Sequence, residues 1–147
     1  MQNSDLNKQE PRTYDISENL ENSKRKTVLL LEDDAEFSAM LKETLEDQDY
    51  SVTVVPSGAE GIQKVLVSDF DAILCDMVMP NFPGDMFYRA VERTRPHLNK
   101  RFVFITGHHD NPKVTKFIQD VRGTVLWKPF EMRKLFDALE TVTGRSH

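Results

Sequence analysis

Two hydrophobic rhythms alternate along this chain. Unbroken apolar runs, Val28-Leu29-Leu30-Leu31, Ala72-Ile73-Leu74-Cys75 and Phe102-Val103-Phe104-Ile105, carry no polar face, which predicts strands covered on both sides of a parallel sheet. The third of five strands starts at Asp71, and Ser51 to Val55 and Thr124 to Trp127 complete the set. Between strands, apolar residues return every three or four positions. Phe37, Met40, Leu41 and Leu45 mark a helix to about Asp47, and Ile62, Val65 and Leu66 face inward on the next. Met86, Phe87, Ala90 and Val91 make a third, and Val114, Phe117, Ile118 and Val121 a short fourth. Met132, Leu135, Phe136, Leu139 and Val142 share one face of the last.

Helix-boundary residues agree with the rhythm. Asp34 suits the N-cap of the first helix, and Ser57 that of the second, with Glu60 three positions on as in a capping box. Pro96 closes the third helix, Pro112 fits the first turn of the fourth, and Gly123 and Gly144 mark the ends of the last two. Five strands alternating with five helices through right-handed crossovers predict an α/β fold, a doubly wound five-stranded parallel sheet with helices on both faces. Ligands of such sheets sit outside the carboxyl ends of the strands.

Composition narrows this to one domain. The 147 residues bury a sizeable core unaided and leave no room for a second catalytic or DNA-binding domain, and Cys75, the only cysteine, excludes an intramolecular disulfide. No apolar run follows the N-terminal charges, so neither a secretory signal nor a membrane span is expected and the predicted location is the cytoplasm. Residues 1–25 read as a disordered polar arm, 26–143 as the folded domain and 144–147 as a tail. Within the arm, Ile16 and Leu20 are spaced for one side of a helical turn. Up to Lys26 the charges cancel, Lys8, Arg12, Lys24, Arg25 and Lys26 against Asp5, Glu10, Asp15, Glu18 and Glu21, so the net charge of -5 belongs to the folded part. An acidic domain disfavours nucleic-acid binding, and Lys24-Arg25-Lys26 reads as a solvated flank.

The predicted strand ends carry the chemistry. Glu32-Asp33-Asp34 follow the first strand, Asp76 the third, Thr106-Gly107 the fourth and Lys128-Pro129 the fifth. Glu32, Asp33 and Asp76 together repel one another unless a cation joins them, and oxygen-only ligands suit Mg2+. A carboxylate is also a nucleophile toward a phosphoryl group held in line, provided that a metal, a cation and a hydroxyl neutralise its oxygens. Mg2+, Lys128 and Thr106 are candidates for those roles, and Gly107 leaves the approach open.

In order and spacing, Glu32-Asp33, Asp76 with Pro80 and Gly84 behind it, Thr106 and Lys128-Pro129-Phe130 resemble the receiver domain of two-component response regulators, across roughly Lys26 to Thr143. The resemblance implies a flavodoxin-like (βα)5 fold in which Asp76 is the phosphoacceptor. It implies that Asp33, Asp76 and the Val78 carbonyl bind Mg2+, with Glu32 acting largely through water. Thr106 would bond a phosphoryl oxygen, Lys128 would pair with the phosphate, and the Lys128-Pro129 peptide would be cis. The implied partners are a histidine kinase or histidine phosphotransfer protein and a downstream protein. No nucleic acid or membrane is implied, nor any enzyme activity beyond self-phosphorylation and slow dephosphorylation.

Two positions depart from the commonest family pattern. Glu32 replaces a more usual Asp, and Val125 stands where many receivers carry Tyr or Phe, so the signal is expected to pass through the loop after Thr106 and the fourth helix. His97, His108, His109 and His147 read as surface residues, with His108 and Val78 placed to tune hydrolysis of an aspartyl phosphate. Cys75 alternates away from the face that Asp76 uses and reads as core. Three alternatives stand beside the receiver. A pseudo-receiver would use the same fold as an unmodified interaction surface. A Mg2+-dependent phosphohydrolase would need a second Asp where Val78 stands, and a flavin or nucleotide binder would need a Gly-rich loop after the first strand.

Overall fold

A computed structural model describes residues 25–79, 82–107 and 110–144. The expectations for residues 1–24, Pro80, His108, His109 and His147 lie outside them. In chain order the elements are β1 (Lys26–Leu31), α1 (Ala35–Asp47), β2 (Tyr50–Val55), α2 (Gly58–Val67), β3 (Ala72–Asp76) and α3 (Gly84–Thr94). A 3-10 turn (Pro96–Leu98) follows, then β4 (Phe102–Thr106), α4 (Pro112–Val121), β5 (Thr124–Trp127) and α5 (Met132–Thr143). The strands form one parallel sheet in the order β2-β1-β3-β4-β5. β1 and β3 are neighbours, and their crossovers leave in opposite directions, which opens a crevice above their carboxyl ends.

Apolar runs in the central strands dictate a core on each face. Alternating side chains of β1, β3 and β4 feed two clusters. One is rich in aromatic rings, with Phe87, Tyr88, Phe102, Phe104 and Phe117, and it includes Cys75. The other is largely aliphatic, with Val28, Leu30, Leu41, Leu45, Leu74, Leu135 and Leu139. Cys75 is fully buried, as its alternation predicts, and burial followed by the neighbouring Asp76 charge pushes its thiol pKa well above the ordinary range.

The helix starts follow the predicted chemistry. The Asp34 side chain accepts the Phe37 N–H at 3.0 Å, and Ser57 accepts the Glu60 N–H at 3.3 Å. Asn111 caps α4 immediately before Pro112, and Gly144 ends α5 in the left-handed region. One inward expectation fails: Leu66 is 52% exposed. The buried side of α2 is Gly58, Gly61 and Val65, and a Cβ on Gly61 would lie 2.8 Å from the Phe87 ring, so α2 approaches α3 through bare backbone and turns Leu66 outward. Met40 and Met86 likewise sit off the faces that Ser38, Leu41 and Leu45, and Phe87, Tyr88 and Val91, press against the sheet. α4 ends at Val121, with the left-handed cap at Arg122 rather than at Gly123.

Strand boundaries shift from the expected ones. β1 begins at Lys26, β2 begins at Tyr50, β3 runs from Ala72 to Asp76, and β4 reaches Thr106. Asp76 is held in register opposite Ile105, and Thr106 opposite Trp127, so both chemical residues belong to the sheet rather than to the loops after it.

Candidate functional site

β1, β3 and β5 deliver their acids and base to one place because the strands are parallel and end at similar height. One oxygen from each of Glu32, Asp33 and Asp76 lies within 4.8 Å of the others. Glu32 is 3% exposed and Asp76 6%, whereas Asp33 is exposed. Lys128 reaches across from β5, its Nζ 3.7 Å from Glu32 Oε1 and 3.8 Å from Asp76 Oδ2, and 4.8 Å from the centre of the Phe37 ring. Its main-chain N–H donates to the Thr106 carbonyl at 2.8 Å, which ties the ends of β4 and β5 together. The Lys128-Pro129 peptide is cis.

Asp76 is fixed from both sides. Its Oδ1 accepts the Val78 N–H at 3.0 Å, and the Met77 N–H donates to the Ile105 carbonyl at 3.0 Å. The chain then turns over Gly84, whose N–H returns to the Met77 carbonyl. A Cβ there would stand 2.7 Å from the Asp76 carbonyl oxygen and 2.9 Å from Met77 Cα, so only glycine lets α3 start this close. Gly107 is under no such constraint, since a Cβ would meet only Lys128 Cβ at 3.6 Å.

The electrostatics identify the kind of ligand the site suits. Glu32 Oε2 accepts the Asp34 N–H at 3.1 Å, but Oε1 is buried and accepts no hydrogen bond from the described residues. Burial and then the Asp76 carboxylate push Glu32 up to about 7, against the pull of the Asp34 N–H and Lys128. A buried acceptor without a donor, inside three converging carboxylates and one lysine, has the donor set of a hard divalent cation. The residues present therefore fit Mg2+. Thr106 is 1% exposed at the end of β4, and Val78, 44% exposed, meets Asp76 through its main-chain N–H. Glu32, Asp33, Asp76, Val78, Thr106 and Lys128 thus lie at the carboxyl edge of the sheet, and His108 lies outside the described residues. A feature that sequence reasoning missed is Phe37, whose ring sits under the Lys128 ammonium; its only signal was its place three residues after the Asp34 cap.

Fold and site together define a signalling module of the receiver type. Residues 28–140 match the family described as the response regulator receiver domain, and the chain belongs to that family. It is 32% identical over 123 residues to the response regulator receiver protein CpdR of Brucella abortus, covering 78% of this chain and 94% of that protein. It is 29% identical to the response regulator ArlR of Staphylococcus haemolyticus, of which it spans 52%. Among solved structures, the Vibrio cholerae chemotaxis protein CheY4 superposes with a TM-score of 0.72 at 28% identity, over 80% of this chain and 98% of that one. Receiver domains are signalling modules of two-component systems rather than conventional enzymes. No helix among the described residues is long and apolar enough to cross a membrane.

Proposed function

We propose that residues 26–143 form a phosphorylation-controlled receiver in which Asp76 accepts a phosphoryl group from a phosphohistidine of a histidine kinase or histidine phosphotransfer protein in the cytoplasm. The observation that carries the reading is the buried Asp76 carboxylate, clamped at Oδ1 by the Val78 N–H while Oδ2 faces the Lys128 ammonium at 3.8 Å. Asp76 attacks phosphorus and forms an O–P bond as the N–P bond of the donor breaks. The bonding pair stays on the histidine nitrogen, which is reprotonated from solvent.

Asp33, Asp76 and the Val78 carbonyl would hold Mg2+, with Glu32 acting largely through water, and the ion bound there would supply charge neutralisation for the phosphoryl oxygens. Lys128 pairs with the phosphate once it is attached, and the Thr106 hydroxyl donates to one of its oxygens. Those contacts bias the fold toward the state that binds a downstream protein. The same chemistry serves a stand-alone regulator or the receiver part of a hybrid kinase.

Intact mass after incubation with Mg2+ and acetyl phosphate tests the proposal. One added phosphoryl group is expected, absent with EDTA and absent in Asp76→Ala. No addition under conditions that label another receiver would replace this reading with a pseudo-receiver acting through its unmodified surface.

A further inference from the structure

The opposite end of the sheet carries a cavity that the phosphoryl chemistry does not use. It encloses about 370 Å3 between α3, the end of α4 and the starts of β4 and β5. Tyr88, Phe102 and Phe104 form its aromatic wall, with Phe102 and Phe104 stacked at 5.4 Å and Tyr88 edge-on to Phe102 at 4.9 Å. A Cβ on Gly123 would lie 2.6 Å from the Phe104 ring, so the cavity is bordered there by backbone alone. Lys100 and Arg122 are its exposed charges, and no acid lines it. The neighbouring Arg95 and Arg101 already share Asp69, at 3.6 and 3.4 Å, whereas neither Lys100 nor Arg122 forms an ion pair among the described residues.

One segment of this chain has the complementary chemistry. In residues 10–21, Glu10, Asp15, Glu18 and Glu21 outnumber Arg12, and Tyr14, Ile16 and Leu20 are interleaved with them. Lys8 and Arg12 lie farther out, whereas Lys24, Arg25 and Lys26 are gathered at the arm's root. That root enters β1, and because all strands are parallel it does so at the same end of the sheet as the cavity. β3 alone separates β1 from β4, so the lateral distance is about 10 Å to β4 and about 14 Å to β5 at about 4.8 Å per strand. Leu20 precedes Arg25 by five residues and so reaches about 17 Å, and Tyr14 reaches about 37 Å.

We propose that the acidic, apolar segment 14–21 of the chain's own N-terminal arm docks at this cavity, with Glu18 and Glu21 against Lys100 and Arg122. Docking in cis costs little loop-closure entropy because the connection is short. It places the arm against the end of α4, at the opposite pole from Asp76.

Paramagnetic relaxation tests this on the full chain. Cys75 is fully buried, so a nitroxide on Ser17→Cys labels the arm selectively. Selective loss of the Lys100, Arg122 and Gly123 amide signals is expected, independent of protein concentration and weakened as ionic strength rises past about 0.15 M, where the screening length falls to about 8 Å. The signals should return in Glu18→Lys/Glu21→Lys, changes confined to the arm, and in Lys100→Glu/Arg122→Glu. Uniform attenuation, attenuation elsewhere, or persistence of the pattern in both charge-reversed proteins would overturn the proposal. So would an effect that grows with concentration, which would assign the contact to the arm of a second copy.

Discussion

The two ends of one sheet handle acids in opposite ways. At the amino end, Asp71 accepts the Thr27 N–H at 2.8 Å and its hydroxyl at 3.1 Å, and Asp69 gathers His97 at 2.8 Å, Arg101 at 3.4 Å and Arg95 at 3.6 Å. At the carboxyl end, three carboxylates converge, two of them on a single lysine, and one buried oxygen goes without a hydrogen bond among the described residues. The first arrangement answers its own charge and serves stability. The second is costly by itself and becomes favourable only with a cation, so the imbalance marks where a ligand acts.

Three changes sharpen or break this contrast. The largest effect is expected from Gly84→Ala, whose Cβ would press on the backbone of Asp76 and Met77. A loss of about 2 to 3 kcal/mol in urea unfolding is expected from such overpacking. Gly107→Ala, with its nearest contact at 3.6 Å, should stay close to wild type. Equal midpoints for the two variants would show that the approach beneath Asp76 is not tight.

Next comes Glu32→Gln. Because Glu32 is raised from 4.5 to about 7, its stabilising contribution is complete below pH 4.5 and is lost as pH rises through 7. The variant lacks that titration, so in metal-free buffer it should be more stable than wild type by on the order of 2 kcal/mol above about pH 8, and the two should converge in acid. Parallel pH profiles of the urea midpoint would mean that the carboxyl end is not strained.

The smallest effect belongs to the amino end. His97 first, and then the charge of Arg101, hold the Asp69 carboxyl below its usual range, so its contribution is present at neutral pH and lost only as pH falls through that lowered value. With 59% of its side chain exposed, solvent screens the cluster, and Asp69→Ala should cost only a few tenths of a kcal/mol. A loss above about 1 kcal/mol would put the two ends on a similar footing.

Much of this was legible before any coordinates. The apolar runs specify strands because a two-sided sheet tolerates nothing polar inside them, and strand order then brings Glu32, Asp33, Asp76, Thr106 and Lys128 to one edge. Less legible was which side of each helix faces the sheet. Leu66 is as apolar as Val65, yet the close approach at Gly61 decides the rotation of α2, and a pattern that counts apolar residues gives glycine no weight. The protonation of Glu32 was also hidden, since it depends on burial and on a carboxylate 44 positions away in sequence. Val125 packs, partly buried, against the aromatic core, so the position where many receivers carry a ring is filled by a smaller side chain here.

β3 pairs along both edges, and all five of its residues are buried. Exposing its amides to solvent exchange requires the centre of the sheet to come apart, an event on the scale of global unfolding. Asp76 is the last residue of that strand. A charge added there would change what surrounds it without disturbing the doubly paired strand that carries it.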